Sequence, residues 1–292
     1  MRTVVVGVAG RPDVEPALDL ALGEALRRRL PLLAVHAFAL PAYGDFPAAL
    51  FPRQIAERRD RAERDVRAAL DRSVRRVTGG TTVSASVLVL EGDPAQCLAS
   101  AAGSAALLVV GARVQGPWGR ALHSSVAAGC LRHCLAPVAV VPHGTTAVAD
   151  RWLRSRVVVG LDGSAASVTA LAWAVEQARE WGSPLVTAVV RDGRGRPPTG
   201  FRGQDHLEAL VRRQVADAGG AGLEVHRRFL DGDVAEQLLA LVDGADLLVL
   251  GSRGRGTSST SAALAARCTV VVVREGQARR EIHQRRRQPL VL

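Results

Sequence analysis

Short uninterrupted apolar runs punctuate the chain at regular intervals. In the first half they are VVV at 4–6, LLAV at 32–35, VLVL at 87–90, LLVV at 107–110 and VAVV at 138–141. In the second half VVV at 157–159, LVTAVV at 185–190, LLVL at 247–250 and VVVV at 270–273 repeat the theme. The runs are continuous rather than alternating with polar residues, as expected of strands covered on both faces. Between them lie segments such as PALDLALGEAL (16–26) and SVTALAWAVEQA (167–178), whose apolar spacing is helical. Strands alternating with helices of this length predict parallel pairing through right-handed crossovers.

The two halves are copies. RTVVVGVAGRPDVEPALDLALGEALRRRLPLLAVHAF (2–38) aligns with RVVVGLDGSAASVTALAWAVEQAREWGSPLVTAVV (156–190). Further on, VLVLEGDPAQCLASAAGSAALLVVGAR aligns with RRFLDGDVAEQLLALVDGADLLVLGSR, and APVAVVP (136–142) with CTVVVVR (268–274). The predicted fold is therefore α/β: two tandem doubly wound parallel five-stranded sheets with helices on both faces. The expected boundaries are 1–142 for the first domain, 143–155 for a linker, 156–274 for the second domain and 275–292 for a basic tail. In GDP and GDV, Asp93 and Asp233 precede a helix and are expected to cap it. A long, densely charged helix is expected over roughly Arg53–Val77, after an insert LPAYGDFPAALF (40–51) that the second copy replaces with a polar loop.

Composition narrows the reading in three ways. Aromatic residues are only 3 % of the chain, so both cores must be built from Ala, Val and Leu. The net charge of +10 is partly concentrated at the end of the chain, where over 274–292 six arginines face only Glu275 and Glu281. No aromatic residue is interleaved there, so a solvated tail is expected and nucleic acid is not a predicted partner. The start has too short an apolar run for a secretory signal and no segment is long enough to span a bilayer, so a cytoplasmic protein without membrane partners is expected. Cys97, Cys130, Cys134 and Cys268 are then expected as thiols. Cys130 and Cys134 lack the second ligand pair of a zinc site, and no metal is predicted. His36, inside an apolar run, is expected to be a hydrogen-bonded core histidine.

Doubly wound sheets bind ligands at the carboxyl ends of their strands, near the point where strand order reverses. The junctions there read VVVGLDGS (157–164) and LLVLGSRGRGT (247–257) in the second copy. With GDVAEQLLALVDGADLLVLGSRGRG and the closing VVVV run, they resemble the universal stress protein family, as a tandem of two such domains. The resemblance implies the adenine-nucleotide-binding variety of the Rossmann-like fold, and ATP or AMP as ligand. It also implies that the last strands of two domains pair edge to edge, here within one chain as a pseudo-dimer, with a further homodimer open.

Members of that family that bind ATP carry Gly, two residues, Gly, nine residues, then Gly followed by Ser or Thr. Glycines allow positive φ and close approach, so successive amides form an anion nest, and the last pair opens a helix toward the phosphates. An aspartate after the first strand helps hold the adenosine. Carried onto the second copy, the resemblance implies a nucleotide site of Asp162, Gly163, Ser164, Val189, Gly251, Arg253, Gly254, Gly256 and Thr257. Here Gly256-Thr257 follows Gly254 after one residue instead of nine, so the phosphate cradle is short. Asp162 read without the family would simply cap the next helix.

The first copy implies a secondary site of Gly111, Arg113, Gly116, Ser124 and Ser125. Its motif runs Gly111, two residues, Val114, nine residues, Ser124, so two glycines are lost. Ala9 and Arg11 stand where the second copy has Asp162 and Ser164. A β-branched residue held at positive φ would cost on the order of 1–3 kcal/mol. Three functions remain open: a non-catalytic stress-response protein with a nucleotide site in the second domain, a degenerate scaffold that binds no nucleotide, and a weak ATPase or adenylating enzyme. The last lacks a G-x-S-x-G elbow, an H-E-x-x-H pair and a carboxylate cluster for magnesium, so no catalytic residue is predicted.

Overall fold

The structure is a computed structural model. It describes residues 2–9, 15–39, 52–79, 82–112, 126–143, 156–191, 204–217, 222–242, 247–252 and 262–275. The chain divides into two units, Met1–Ala149 and Asp150–Leu292. The first contains β1 (Val4–Gly7), α1 (Glu15–Arg28), β2 (Leu32–Phe38), α2 (Pro52–Val77), β3 (Ala85–Glu91), α3 (Pro94–Ala101), β4 (Leu107–Ala112), α4 (Val126–His133) and β5 (Val138–Pro142). Its strands are parallel in the order β3-β2-β1-β4-β5, so the order reverses at β1 and β4.

The second unit contains β6 (Val157–Leu161), α5 (Ala165–Trp181), β7 (Leu185–Arg191), α6 (Gln204–Asp217), β8 (Val225–Asp231), α7 (Val234–Leu241), β9 (Leu247–Ser252), a helical turn at 262–265 and β10 (Thr269–Arg274). Its order, β8-β7-β6-β9-β10, is that of the first unit, again all parallel. Register repeats as well. Val4 is level with Leu32 and Leu107, and Val157 with Leu185 and Leu247. Valine and leucine fill β1, β4, β6 and β9 because both faces of these central strands are covered, and their side chains are almost wholly buried.

The copies correspond at the level of packing. A Cβ on Gly7 would lie 2.9 Å from Leu98 Cδ1 and 3.5 Å from Val110 Cγ1. A Cβ on Gly160 would lie 3.2 Å from Leu238 Cδ1 and 3.0 Å from Leu250 Cδ2. Each glycine thus makes a notch in its first strand that receives a leucine from α3 or α7. The turn before each of these helices is also duplicated. Gly92 and Gly232 adopt φ of +139° and +134°, values that strain any L-residue. Asp93 then accepts from the Gln96 amide, and Asp233 from those of Ala235 and Glu236, as the sequence predicted. Pro94 occupies the first turn of α3, where its missing N–H is harmless.

What differs lies mainly around α1 and α2. Asp19 on α1 is nearly buried and accepts two bonds from Arg76 on α2, Nη2 to Oδ1 at 2.7 Å and Nε to Oδ2 at 2.9 Å. Arg76 and Arg72 also reach Glu15, each at 3.3 Å. The second copy has Val168 and Ala172 at the positions of Glu15 and Asp19, so this clamp belongs to the first unit alone. Farther along α1, Glu24 is fully buried between Arg28 at 2.8 Å and Arg27 at 2.9 Å. Its counterpart in α5 is the equally buried but neutral Gln177. Cys130, Cys134 and Cys268 are buried and Cys97 is half-buried, all as free thiols.

Candidate functional site

The carboxyl edge of β6, β7 and β9 gathers the residues singled out in the second copy. Leu161, the last residue of β6, is level with Val189 on β7. The β6–β9 pairing holds Val159 level with Val249 and ends there, and Gly251 lies two residues farther along β9, level with Val273 on β10. Val189 and Leu161 are buried, whereas Gly251 is half-exposed. This edge therefore carries an apolar pair on β6 and β7 and a glycine near the end of β9.

The chain turns sharply after Leu161. Asp162 Oδ1 accepts from the Ser164 amide at 2.9 Å, and Gly163 takes φ of +75°. This is an Asx turn, in which a short carboxylate mimics a backbone carbonyl. Ser164 is the residue that caps α5, its Oγ accepting from the Ser167 amide at 3.2 Å while Ser167 Oγ donates to the Ser164 carbonyl at 2.9 Å. The simple expectation that Asp162 caps the helix is corrected: it shapes the turn, and Ser164 does the capping. Asp162 stays exposed, its carboxylate at the rim beside the positive end of α5.

Gly251 explains why the fourth strand of this unit ends in glycine. A Cβ there would lie 2.5 Å from both the carbonyl carbon and oxygen of Ala166, and 2.7 Å from the Ser167 nitrogen. Only a residue without a side chain lets β9 and the first turn of α5 touch. Ser252 beyond it is nearly buried. Arg253, Gly254, Gly256 and Thr257 lie outside the described residues.

The first unit builds the same level differently. His36 replaces Val189 on β2, and it is half-buried at the strand end rather than in the core. Its Nδ1 lies 2.8 Å from the Val8 carbonyl oxygen, so Nδ1 carries the proton and donates. Gly111 is the counterpart of Gly251, and the nearest described atoms to a Cβ there are Cε1 and Nε2 of His143, both at 3.5 Å. The His36 ring also sits 6.3 Å from that of Phe38, over which the Arg58 guanidinium lies at 5.4 Å. Arg113, Gly116, Ser124 and Ser125 lie outside the described residues. The repeat held a signal for the pair of imidazoles, since His36 aligns with Val189, but nothing in the sequence showed that His143 would turn back onto β4.

Among the described residues, no three His, Cys, Asp or Glu side chains come together as metal ligands. No helix among them is long and apolar enough to cross a membrane.

The model of the universal stress protein family matches residues 1–142 and again 154–274. A universal stress protein of Mycolicibacterium smegmatis is 30 % identical over 291 residues, covering 93 % of this chain and 96 % of its own. One from Mycobacterium tuberculosis is 28 % identical over 294 residues, with the same two coverages of 93 % and 96 %. Among solved structures, a universal stress protein from Archaeoglobus fulgidus superposes with a TM-score of 0.69 at 19 % identity, covering 94 % of this chain and 97 % of its own. A putative universal stress protein from Pseudomonas aeruginosa gives 0.54 at 14 % identity, covering 99 % and 98 %. These two likenesses concern the fold.

Proposed function

The chain belongs to the universal stress protein family, and from that premise we propose that it is a non-catalytic stress-response protein whose second unit takes an adenine nucleotide, ATP or AMP. The observation that carries this reading is the Leu161–Val189 pair followed at once by the Asp162–Ser164 turn, with Gly251 packed against the first turn of α5. An apolar pair suits a planar base. An exposed carboxylate suits the two hydroxyls of a ribose. A glycine strand end beside a helix N-terminus suits the approach of a phosphate.

Asp162, Gly163, Ser164 and Val189 would hold the nucleoside side, and Gly251, Arg253, Gly254, Gly256 and Thr257 the phosphates. Because the segment after Gly254 is short, the reading favours a ligand with few phosphates. The first unit, with Ala9, Arg11, Val114 and Ser124 in the family's positions, is assigned no nucleotide. The last strands, β5 and β10, each end their own sheet order as runs of buried valine, and in this reading they pair edge to edge within the chain.

Calorimetry and thermal unfolding with ATP and AMP test the assignment. A ligand at 100 times its Kd stabilises the fold by about 2.7 kcal/mol, and Asp162→Ala should remove that gain. If neither nucleotide binds the purified protein, the nucleotide reading fails and the interaction-scaffold function takes its place. Phosphate release from ATP above the buffer blank would overturn the non-catalytic part.

A further inference from the structure

Phe229 lies on the edge strand of the second unit, one strand beyond Val189. Leu161 on β6 is level with Val189 on β7, and Val189 in turn is level with Phe229 on β8. Residues paired in this way on parallel strands point to the same face of the sheet, so the three form one apolar row. β6 stops at this row, whereas β7 and β8 run on to Arg191 and Asp231. The two outer strands therefore stand as a wall beside the Asp162–Ser164 turn. Leu161 and Val189 are buried, and Phe229 is the member of the row that stays half-exposed. Thr187 steadies the wall two residues earlier, its Oγ1 donating to the His226 carbonyl at 3.4 Å. Among the described residues no other ring and no cation is stacked on Phe229. In the first unit the matching pair is His36 and Val89, level with each other, with Val89 only 6 % exposed. The aromatic member thus belongs to the unit that keeps the Asp162 turn.

We propose that Phe229 is the surface on which the base of the ligand stacks, and that it makes the second unit selective for purines; this rests on a nucleotide occupying that unit. A purine is broader than the spacing of about 4.8 Å between neighbouring strands, so a base seated on Val189 reaches β8. The first half-exposed apolar surface it meets there is the Phe229 ring. Stacking rewards the area of the π-face and needs no hydrogen-bond code. It therefore favours adenine over uracil, while the ribose is left to Asp162 and the phosphates to the loop after β9. Leucine at this position would keep an apolar contact but give up the ring. Tyrosine would keep the ring.

Calorimetric titration of the full chain with AMP and with UMP tests the assignment. AMP should bind the wild type about tenfold more tightly than UMP, and Phe229→Leu should bring AMP down to the level of UMP. Phe229→Tyr should keep the wild-type preference. Urea unfolding of both variants reports that each is folded. In the wild type, an intermolecular Overhauser effect should link a base proton of AMP to the Phe229 ring, a readout that depends on no variant. Three results would each overturn the inference while leaving AMP binding itself intact: equal affinity for AMP and UMP, AMP affinity unchanged in Phe229→Leu, or an Overhauser map without the Phe229 ring. AMP lost from Phe229→Tyr as fully as from Phe229→Leu also overturns it, because the ring would then serve packing alone. A wild-type protein that takes neither nucleotide refutes the stacking role together with the nucleotide site.

Discussion

Gly251 and Ala166 are in backbone contact: the place of a Cβ on the glycine is 2.5 Å from the carbonyl carbon and oxygen of the alanine. Strand β9, which ends at this rim, and helix α5, which begins there, touch backbone to backbone at this point. Gly251→Ala should push α5 off β9, destabilising the protein by about 1–3 kcal/mol in urea unfolding. It should also weaken nucleotide binding, because Ser164 and Asp162 move with the helix start. Gly111→Ala meets only the His143 ring at 3.5 Å among described atoms, an ordinary contact, and should cost less than the Gly251 change.

The clamp between α1 and α2 makes a second prediction. Asp19 is nearly buried and receives two bonds from Arg76, while Arg76 itself is 41 % exposed. Arg76→Ala leaves a buried carboxylate unpaired. After discounting for solvent around the guanidinium, the loss should be on the order of 1 kcal/mol. Asp19→Asn in the same background should recover part of it, because the uncompensated charge is gone. Hydrogen exchange of the α2 amides should quicken in the single variant, while the strands stay protected.

Glu24 links stability to acidity. Burial alone would push its carboxyl up, but the charges and hydrogen bonds of Arg28 and Arg27 outweigh that and hold it below the ordinary carboxylate range. A carboxyl depressed in the fold contributes stability that is complete above the unfolded value and disappears as pH falls through the folded one. Wild-type unfolding midpoints should therefore decline on the acid side of about pH 4.5. Glu24→Gln, which copies Gln177 of the second unit, should flatten part of that decline. At neutral pH it removes the carboxylate from between Arg27 and Arg28, at a cost of roughly 3 kcal/mol.

The thiols should prove inert in the native state. Burial, with Cys134 and Asp93 nearby, pushes the Cys130 thiol up to about 12. Partial burial, with Asp93 adding to it, also raises Cys97. At pH 8 both are protonated and poorly nucleophilic. Alkylation followed by mass spectrometry should modify the half-buried Cys97 first and slowly, and Cys130, Cys134 and Cys268 only after unfolding. Rapid labelling of Cys130 in the folded protein would contradict its burial.

Much of the architecture could be read from residue type because local rules and tertiary needs agree. Continuous valine runs became the central strands, and the GD pairs became helix caps with their glycines at positive φ. The alignment of VVVGV with VVVGL predicted equivalent strands, and the shared Gly-to-leucine notch is what that equivalence means in three dimensions. The site was less legible. Asp162 and Ser164 are both good capping residues two positions apart, and only the backbone path decides that the serine caps and the aspartate shapes the turn. His36 lay in an apolar run and read as core, yet the strand ends at Phe38, so its ring reaches the rim. The partners of Arg76 lie 57 and 61 residues away, a separation at which no pattern along the chain identifies the contact.

The notches at Gly7 and Gly160 have a consequence for how the two halves diverged. Each receives the tip of a leucine side chain, so a methyl group there would make that leucine give way. Duplication therefore left both halves with the same socket in the first strand, while the α1–α2 surface and the strand ends came to carry different residues.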